Sequence, residues 1–212
     1  MSAPQSWFIP PFNPETADPA VAQAMALLPV ERNLPKVLAN SATFFQPFMQ
    51  LTAASWAPTR TIRSSEWQVV VLRTASILDS DYEWQVNEPV ARLFGFDDHA
   101  LAKLREGDLS DKTIFSDRHR LVAKMTAELV TQHRLSPETA QASNRVLGPE
   151  GTVEVIVIHS VYALIANLSR SAGLVDDPPV AGLDAILRTY NAAAIEKENE
   201  QRAKDESSGE TI

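Results

Sequence analysis

The 212 residues predict an all-α fold, a single-domain helical bundle of about eight helices. Three observations predict it. Ala, Leu, Met and Val recur three and four residues apart along most of the chain, the period of a helix with one buried face. Helix punctuation falls at the ends of those runs, as Asp97, Ser116 and Ser136 before them and Gly95 and Gly173 after them. No Gly/Ser linker divides the chain, so the 44% of residues that are apolar serve one core.

The first nineteen residues hold five prolines and read as an extended arm over 1–19, because proline sets φ and biases its predecessor away from the helix. Trp7, Phe8, Ile9 and Phe12 lie between those prolines, and burial of such residues requires the arm to lie on its own domain or on a neighbouring subunit. The domain itself is expected over 20–190. "PETADPAVAQAMALL" and "LPKVLANSATFFQPFMQLTAASW" read as helices, with Pro47 marking a kink or break. "TIRSSEWQVVVLRTASIL" continues the pattern, and "SDYEWQVNEPVARLFG" ends on Gly95. Asp97 starts a short helix through Arg105, Ser116 starts "DRHRLVAKMTAELVTQHR", and Ser136 with Pro137 at the first helical position starts "LSPETAQASNRVL".

"VEVIVIHSVYALIANLSRSAG" is rich in β-branched residues, yet its length favours a helix, buried on most sides and ending near Gly173. Its apolar core is shorter than the roughly 20 residues that span a bilayer and contains His159, Ser160 and Asn167. The last amphipathic helix, "LDAILRTYNAAAIEKENEQRAK", runs into "DESSGETI"; a charged helix end and disordered tail are expected over 191–212.

A net charge of −8 with scattered Lys and Arg argues against nucleic acid and against acidic membrane surfaces as partners. The chain has no cysteine, which excludes disulfides, thiolate metal sites and thiol chemistry. The N-terminus lacks the charged and apolar regions of a secretory signal, so a cytoplasmic address is expected. His99, His119, His133 and His159 show no metal-ligand spacing, and no phosphate or dinucleotide loop is present; no metal and no cofactor are expected. His99 and His119 read as exposed turn residues, and His133 as a helix-end residue.

Residues 80–87 carry the chemistry, with two readings open. In the first, Ser80 and Glu83 form a capping box, Tyr82 and Trp84 are core aromatics and Asn87 is a surface amide. In the second, Ser80, Glu83 and Asn87 share one stripe of a helix and can touch a common ligand. Gln68, with Leu72 and Ala75, offers a second polar group from the preceding helix. A carboxylate between Tyr82 and Trp84 is partly desolvated, which raises its pKa towards the range for proton transfer.

The stretch "SEWQVVVLRTASILDSDYEWQVNEPVARLFGF" resembles the carboxymuconolactone decarboxylase-like family, within the alkylhydroperoxidase-D-like superfamily, whose hallmark is "LVILR-x-A" followed by "Y-E-W-x-x-H-x-x-x-A". Downstream, "FSDRHRLVAKMTAELVTQHRLSPETAQASNRVLGPEGTVEVIVIHSVYALIANLSRSAGL" is similar, more loosely, to the part of longer members that carries "ELH", "ISDATW" and "VGHYNMVA-x-x-LN". The resemblance implies an all-α fold, a homo-oligomer (trimer, dimer or hexamer) and a cofactor-free site built on a Glu and the motif His. Those two positions fall on Gln68 and Asn87, both amides that cannot move a proton near neutral pH. Glu66, two residues earlier, is turned about 200° around the helix. The superfamily's thiol peroxidase cysteines fall on Ser80 and Glu83, so that reaction is excluded.

The expected function is a cofactor-independent lyase or isomerase on a small cyclic carbonyl compound, a lactone or a phenolic or polyketide-derived metabolite. Glu83 is the expected acid/base and Tyr82 the hydrogen-bond donor to a developing enolate; Gln68, Trp84, Asn87, Ser80 and His159 shape the pocket. The alternative is a catalytically silent, oligomeric binding or scaffold protein that has lost the family's acid/base pair.

Overall fold

The computed structural model describes residues 7–26, 28, 30–57 and 59–208. Among them the helical spacing is realised as eleven helices and no strand: α1 (Pro19–Ala26), α2 (Asn33–Leu38), α3 (Ala42–Ser55), α4 (Ser64–Ile77), α5 (Asp81–Leu93), α6 (Asp98–Glu106), α7 (Asp117–Gln132), α8 (Pro137–Val146), α9 (Gly148–Ala172), α10 (Leu183–Tyr190) and α11 (Ala192–Ser208). Two long runs are divided, which raises the number above eight. Asn40 turns its amide onto the Val37 and Pro10 carbonyls between α2 and α3, and buried Asn191 closes α10 on the Leu187 carbonyl before α11 starts. Pro47 sits inside α3 without ending it.

The punctuation works locally as its chemistry demands. Asp97, Ser116 and Ser136 each accept a hydrogen bond from an amide of the first turn they precede. Gly173 ends α9 at φ +71, where a Cβ would also stand 3.0 Å from the Phe8 ring. The capping box at Ser80 does not form: the Ser80 side chain caps nothing and its Oγ lies 3.3 Å from Ser169 Oγ.

α4 is the axis of the molecule. Eleven of its fourteen residues are buried, five of them polar (Ser64, Ser65, Glu66, Gln68 and Thr74), and it packs against α5, α6, α7, α9 and α11. α9 lies beside it, contributing Val155, Ile158, Val161, Tyr162 and Ile165 to the same core. At 25 residues α9 is long and apolar enough to cross a bilayer, because the helix starts at Gly148, ahead of the apolar run; its packing against α4, α7 and α8 makes it a core helix. The arm runs along this domain. The Phe8 amide donates to the Ala172 carbonyl at 2.9 Å, while Trp7 and Ile9 pack with Val37, Tyr82 and Leu174. The expected arm residues 1–6 and tail residues 209–212 lie outside the described residues; residues 205–208 are helical.

Candidate functional site

α5 is short and strongly two-sided, which turns Tyr82, Glu83, Trp84, Asn87, Val90 and Ala91 inward. Beside it opens a cleft of about 460 Å³. Val86, Asn87 and Val90 form one wall, Trp56 and Ala53 at the end of α3 another, and Ile186, Leu187 and Tyr190 of α10 the roof. Arg32 stands at its edge. The lining is mostly apolar with a few convergent polar groups, the usual character of a small-molecule site.

Glu83 lies one turn behind Asn87 and is only 3% exposed. Asn87 Nδ2 donates to the Glu83 carbonyl at 2.9 Å and makes a longer contact of 3.4 Å with Glu83 Oε2. Among the described residues no cation nitrogen lies within 4.0 Å of the Glu83 carboxyl. Burial, and then the charge of Asp177, push its pKa up to about 8, against a smaller opposing effect of Arg32. Arg32 is itself held by Asp177 at 2.9 Å, and Asp177 also accepts from the Asn33 amide at 2.7 Å. The carboxyl is therefore mostly protonated at neutral pH and sits among groups whose charges are already matched.

The remaining predicted residues are distributed differently. Tyr82 Oη donates to Asp177 at 2.9 Å and accepts from the Leu34 amide at 3.1 Å, so its hydroxyl tethers the first turn of α2 and is not free to serve an enolate. Trp84 points towards α6: its Nε1 donates to Glu88 Oε2 at 2.9 Å and Arg105 covers its ring at 4.9 Å. Ser80 meets Ser169 on α9. His159 faces Thr74; that hydroxyl gives its proton to the Val70 carbonyl at 2.8 Å, so His159 Nδ1 donates to it at 3.1 Å. Burial, and then nearby His133, lower the His159 pKa, leaving a neutral imidazole between α4 and α9. Gln68 is fully buried, outside the cleft lining, and neither end of its amide has a hydrogen-bond partner among the described residues. The structure thus brings Glu83 and Asn87 into contact, but of the predicted residues Asn87 alone lines the cleft: Glu83 lies behind it, and Tyr82, Trp84, Ser80, His159 and Gln68 are outside the lining.

Arg32, Trp56, Asp177 and Tyr162 were not legible as site residues. Tyr162 is buried near Glu83, and burial raises its pKa far above the usual phenol range. All four come from segments distant in sequence, and none carries a local motif.

A second, larger cavity of about 630 Å³ opens where α4 and α7 begin, walled by Glu66, His119, Arg118, Arg63, Glu198 and Arg202. His119 is thus a helical, half-buried wall residue and no exposed turn. Its charged groups satisfy one another. Glu66 binds Arg118 and the Arg63 amide, and Arg63 binds Asp205. His119 Nδ1 accepts from the Ser116 amide, which leaves the proton on Nε2, 3.0 Å from Ser65 Oγ. Burial holds its pKa down to about 4. An imidazole so arranged donates to Ser65 and cannot activate it as a nucleophile. The cavity is larger than the α5 cleft but has no group poised for chemistry.

Compared with known proteins, the chain matches no family model and no curated sequence. The site is therefore interpreted from its own geometry.

Proposed function

We propose that the protein is a cofactor-independent lyase or isomerase that moves a proton on a small cyclic carbonyl compound, a lactone or a phenolic or polyketide-derived ring, bound in the α5 cleft. One observation carries this reading: a buried carboxyl that caps no helix, pairs with no cation among the described residues and lies behind the amide of the cleft wall. The substrate carbonyl takes the Asn87 Nδ2 hydrogen now spent on the 3.4 Å contact, which frees the carboxyl. The ionised form of Glu83 removes a proton α to the carbonyl, Asn87 donates to the enolate oxygen, and the same carboxyl returns the proton at the new carbon. Asn87 takes the donor role expected of Tyr82, whose hydroxyl is engaged elsewhere. Because Asp177 matches Arg32, the cleft offers no free cation to hold a carboxylate; this favours isomerisation of an uncharged ring over decarboxylation.

The reading makes the chain a divergent, cytoplasmic and homo-oligomeric member of the carboxymuconolactone decarboxylase-like family. Its support is the residue resemblance around Tyr82–Glu83–Trp84, together with an all-α fold in which the aliphatic α4 packs on the following α5. The test is proton exchange at the α-carbon of candidate lactones and cyclic ketones in D₂O, followed by NMR. Glu83→Gln is expected to slow exchange by about 10² to 10⁴; equal exchange in both proteins removes Glu83 from the mechanism. A silent binding protein is the second reading, favoured by the way Asn87 covers the carboxyl. Ligands that raise the melting temperature without any exchange decide for it.

A further inference from the structure

Arg60 stands in the turn before α4 and is 8% exposed. Its Nε donates to the Ala57 carbonyl at 3.0 Å and its Nη2 to Ser64 Oγ at 3.1 Å, while Nη1 is buried with no hydrogen-bond partner among the described residues. Its guanidinium lies over the Trp67 ring, 5.0 Å from the centroid. No carboxylate oxygen of the described residues comes within 4.0 Å of it. A buried cation without an anion is expensive, and proteins normally pair such groups.

Arg60 also forms part of the wall of a groove of about 470 Å³ between α3 and the first half of α9. The rest of the wall is largely apolar, with Leu51, Ala54, Val153, Val157 and Ile158, and Leu51, Val153 and Val157 are exposed. Two glutamates limit the charge that fits. Glu154 turns both oxygens onto the Thr61 and Ile62 amides at 2.9 to 3.0 Å, and Glu150 stands exposed in the first turn of α9. Neither touches the guanidinium, although the charge of Glu154, and after it those of Glu198 and Glu66, act on it from beyond 4.0 Å; Glu150 and Glu154 also repel a multiply charged anion.

We propose that this groove binds an amphipathic monoanion, a single carboxylate on an aliphatic or aromatic body, with the carboxylate on the Arg60 guanidinium and the body along Leu51, Val153 and Val157. The site is separate from the α5 cleft, with α3 as their common wall. Arg60 then costs the empty protein stability and is retained for the ligand.

The probe is octanoate below its micellar concentration, with 1-octanol as the uncharged control, titrated calorimetrically into the full chain. Octanoate is expected to bind about ten-fold or more tighter than octanol. Arg60→Met is expected to raise the melting temperature of the ligand-free protein and to abolish the preference. Val157→Glu, which keeps Arg60 and adds a negative charge to the groove, is expected to abolish octanoate binding alone. Equal binding of octanol and octanoate overturns the proposal, as does a lowered melting temperature in Arg60→Met with no octanoate effect on the parent protein. A sedimenting dimer that Val157→Glu dissociates, and that octanoate does not perturb, assigns the groove to a second copy instead.

Discussion

Gln68 has no exposed surface and an amide without partners among the described residues, whereas Asn87, also an amide, meets Glu83. Both positions were identified from the residues, but only packing separates them: Asn87 reaches the cleft wall, and Gln68 faces the interior of the bundle. A buried unpaired amide costs about 1–3 kcal/mol. Gln68→Leu, close in volume, is therefore expected to stabilise the protein by about that much in urea unfolding. A loss of stability instead shows that the amide is satisfied in solution by bound water. Glu83 was legible as a candidate because a carboxylate between two aromatics is desolvated. Its release from capping was not, since Ser80 and Glu83 have the spacing of a capping box and only the contact with Ser169 draws Ser80 away.

At the scale of the element, local capping of α4 reaches only the Arg63 amide, which donates to Glu66 Oε2 at 2.9 Å. The Ser64 and Ser65 amides donate instead to Glu198 Oε2, at 2.9 and 3.3 Å, from α11 more than 130 residues later. A carboxylate there satisfies two orphan donors and meets the positive end of the helix dipole. Glu198→Ala is expected to destabilise the fold by about 1–3 kcal/mol, and Glu198→Gln, which keeps an acceptor oxygen, by clearly less; equal losses mean that charge alone matters. The start of α4 was clear from the helical pattern, but the residue that closes it was not, because a cap delivered across the bundle leaves no local trace.

For the whole molecule, two desolvated groups, buried Glu83 and half-buried His119, set opposing pH slopes. Glu83 is raised from 4.5 to about 8, so between those values the folded state keeps a proton that the unfolded chain has lost, and stability falls as pH rises. His119 is lowered from 6.5 to about 4; across that window the unfolded chain holds the extra proton, and stability rises with pH. The two oppose each other from about 4.5 to 6.5, leaving only the Glu83 decline from 6.5 to 8. Relative to Glu83→Gln, the parent protein is expected to lose on the order of 2 kcal/mol between pH 6.5 and 8.5 in denaturant titrations. Parallel stability profiles for the two proteins remove Glu83 as a buried neutral acid.

What the residues alone determined was local. Helical period, the caps at Asp97, Ser116 and Ser136, and the stop at Gly173 depend on contacts within one turn, so they are written in consecutive residues. The Tyr-Glu-Trp block could be singled out in the same way. Tertiary structure alone decided the roles within it: Tyr82 is taken by Asp177, 95 residues away, Trp84 is turned to Arg105, and Glu83 is left unpaired behind Asn87. It also left the Arg60 guanidinium with no carboxylate oxygen of the described residues within 4.0 Å. The physical reason is range. A backbone hydrogen bond in a helix spans four residues, whereas the desolvation of a carboxyl or a guanidinium depends on whichever distant side chains the fold packs around it.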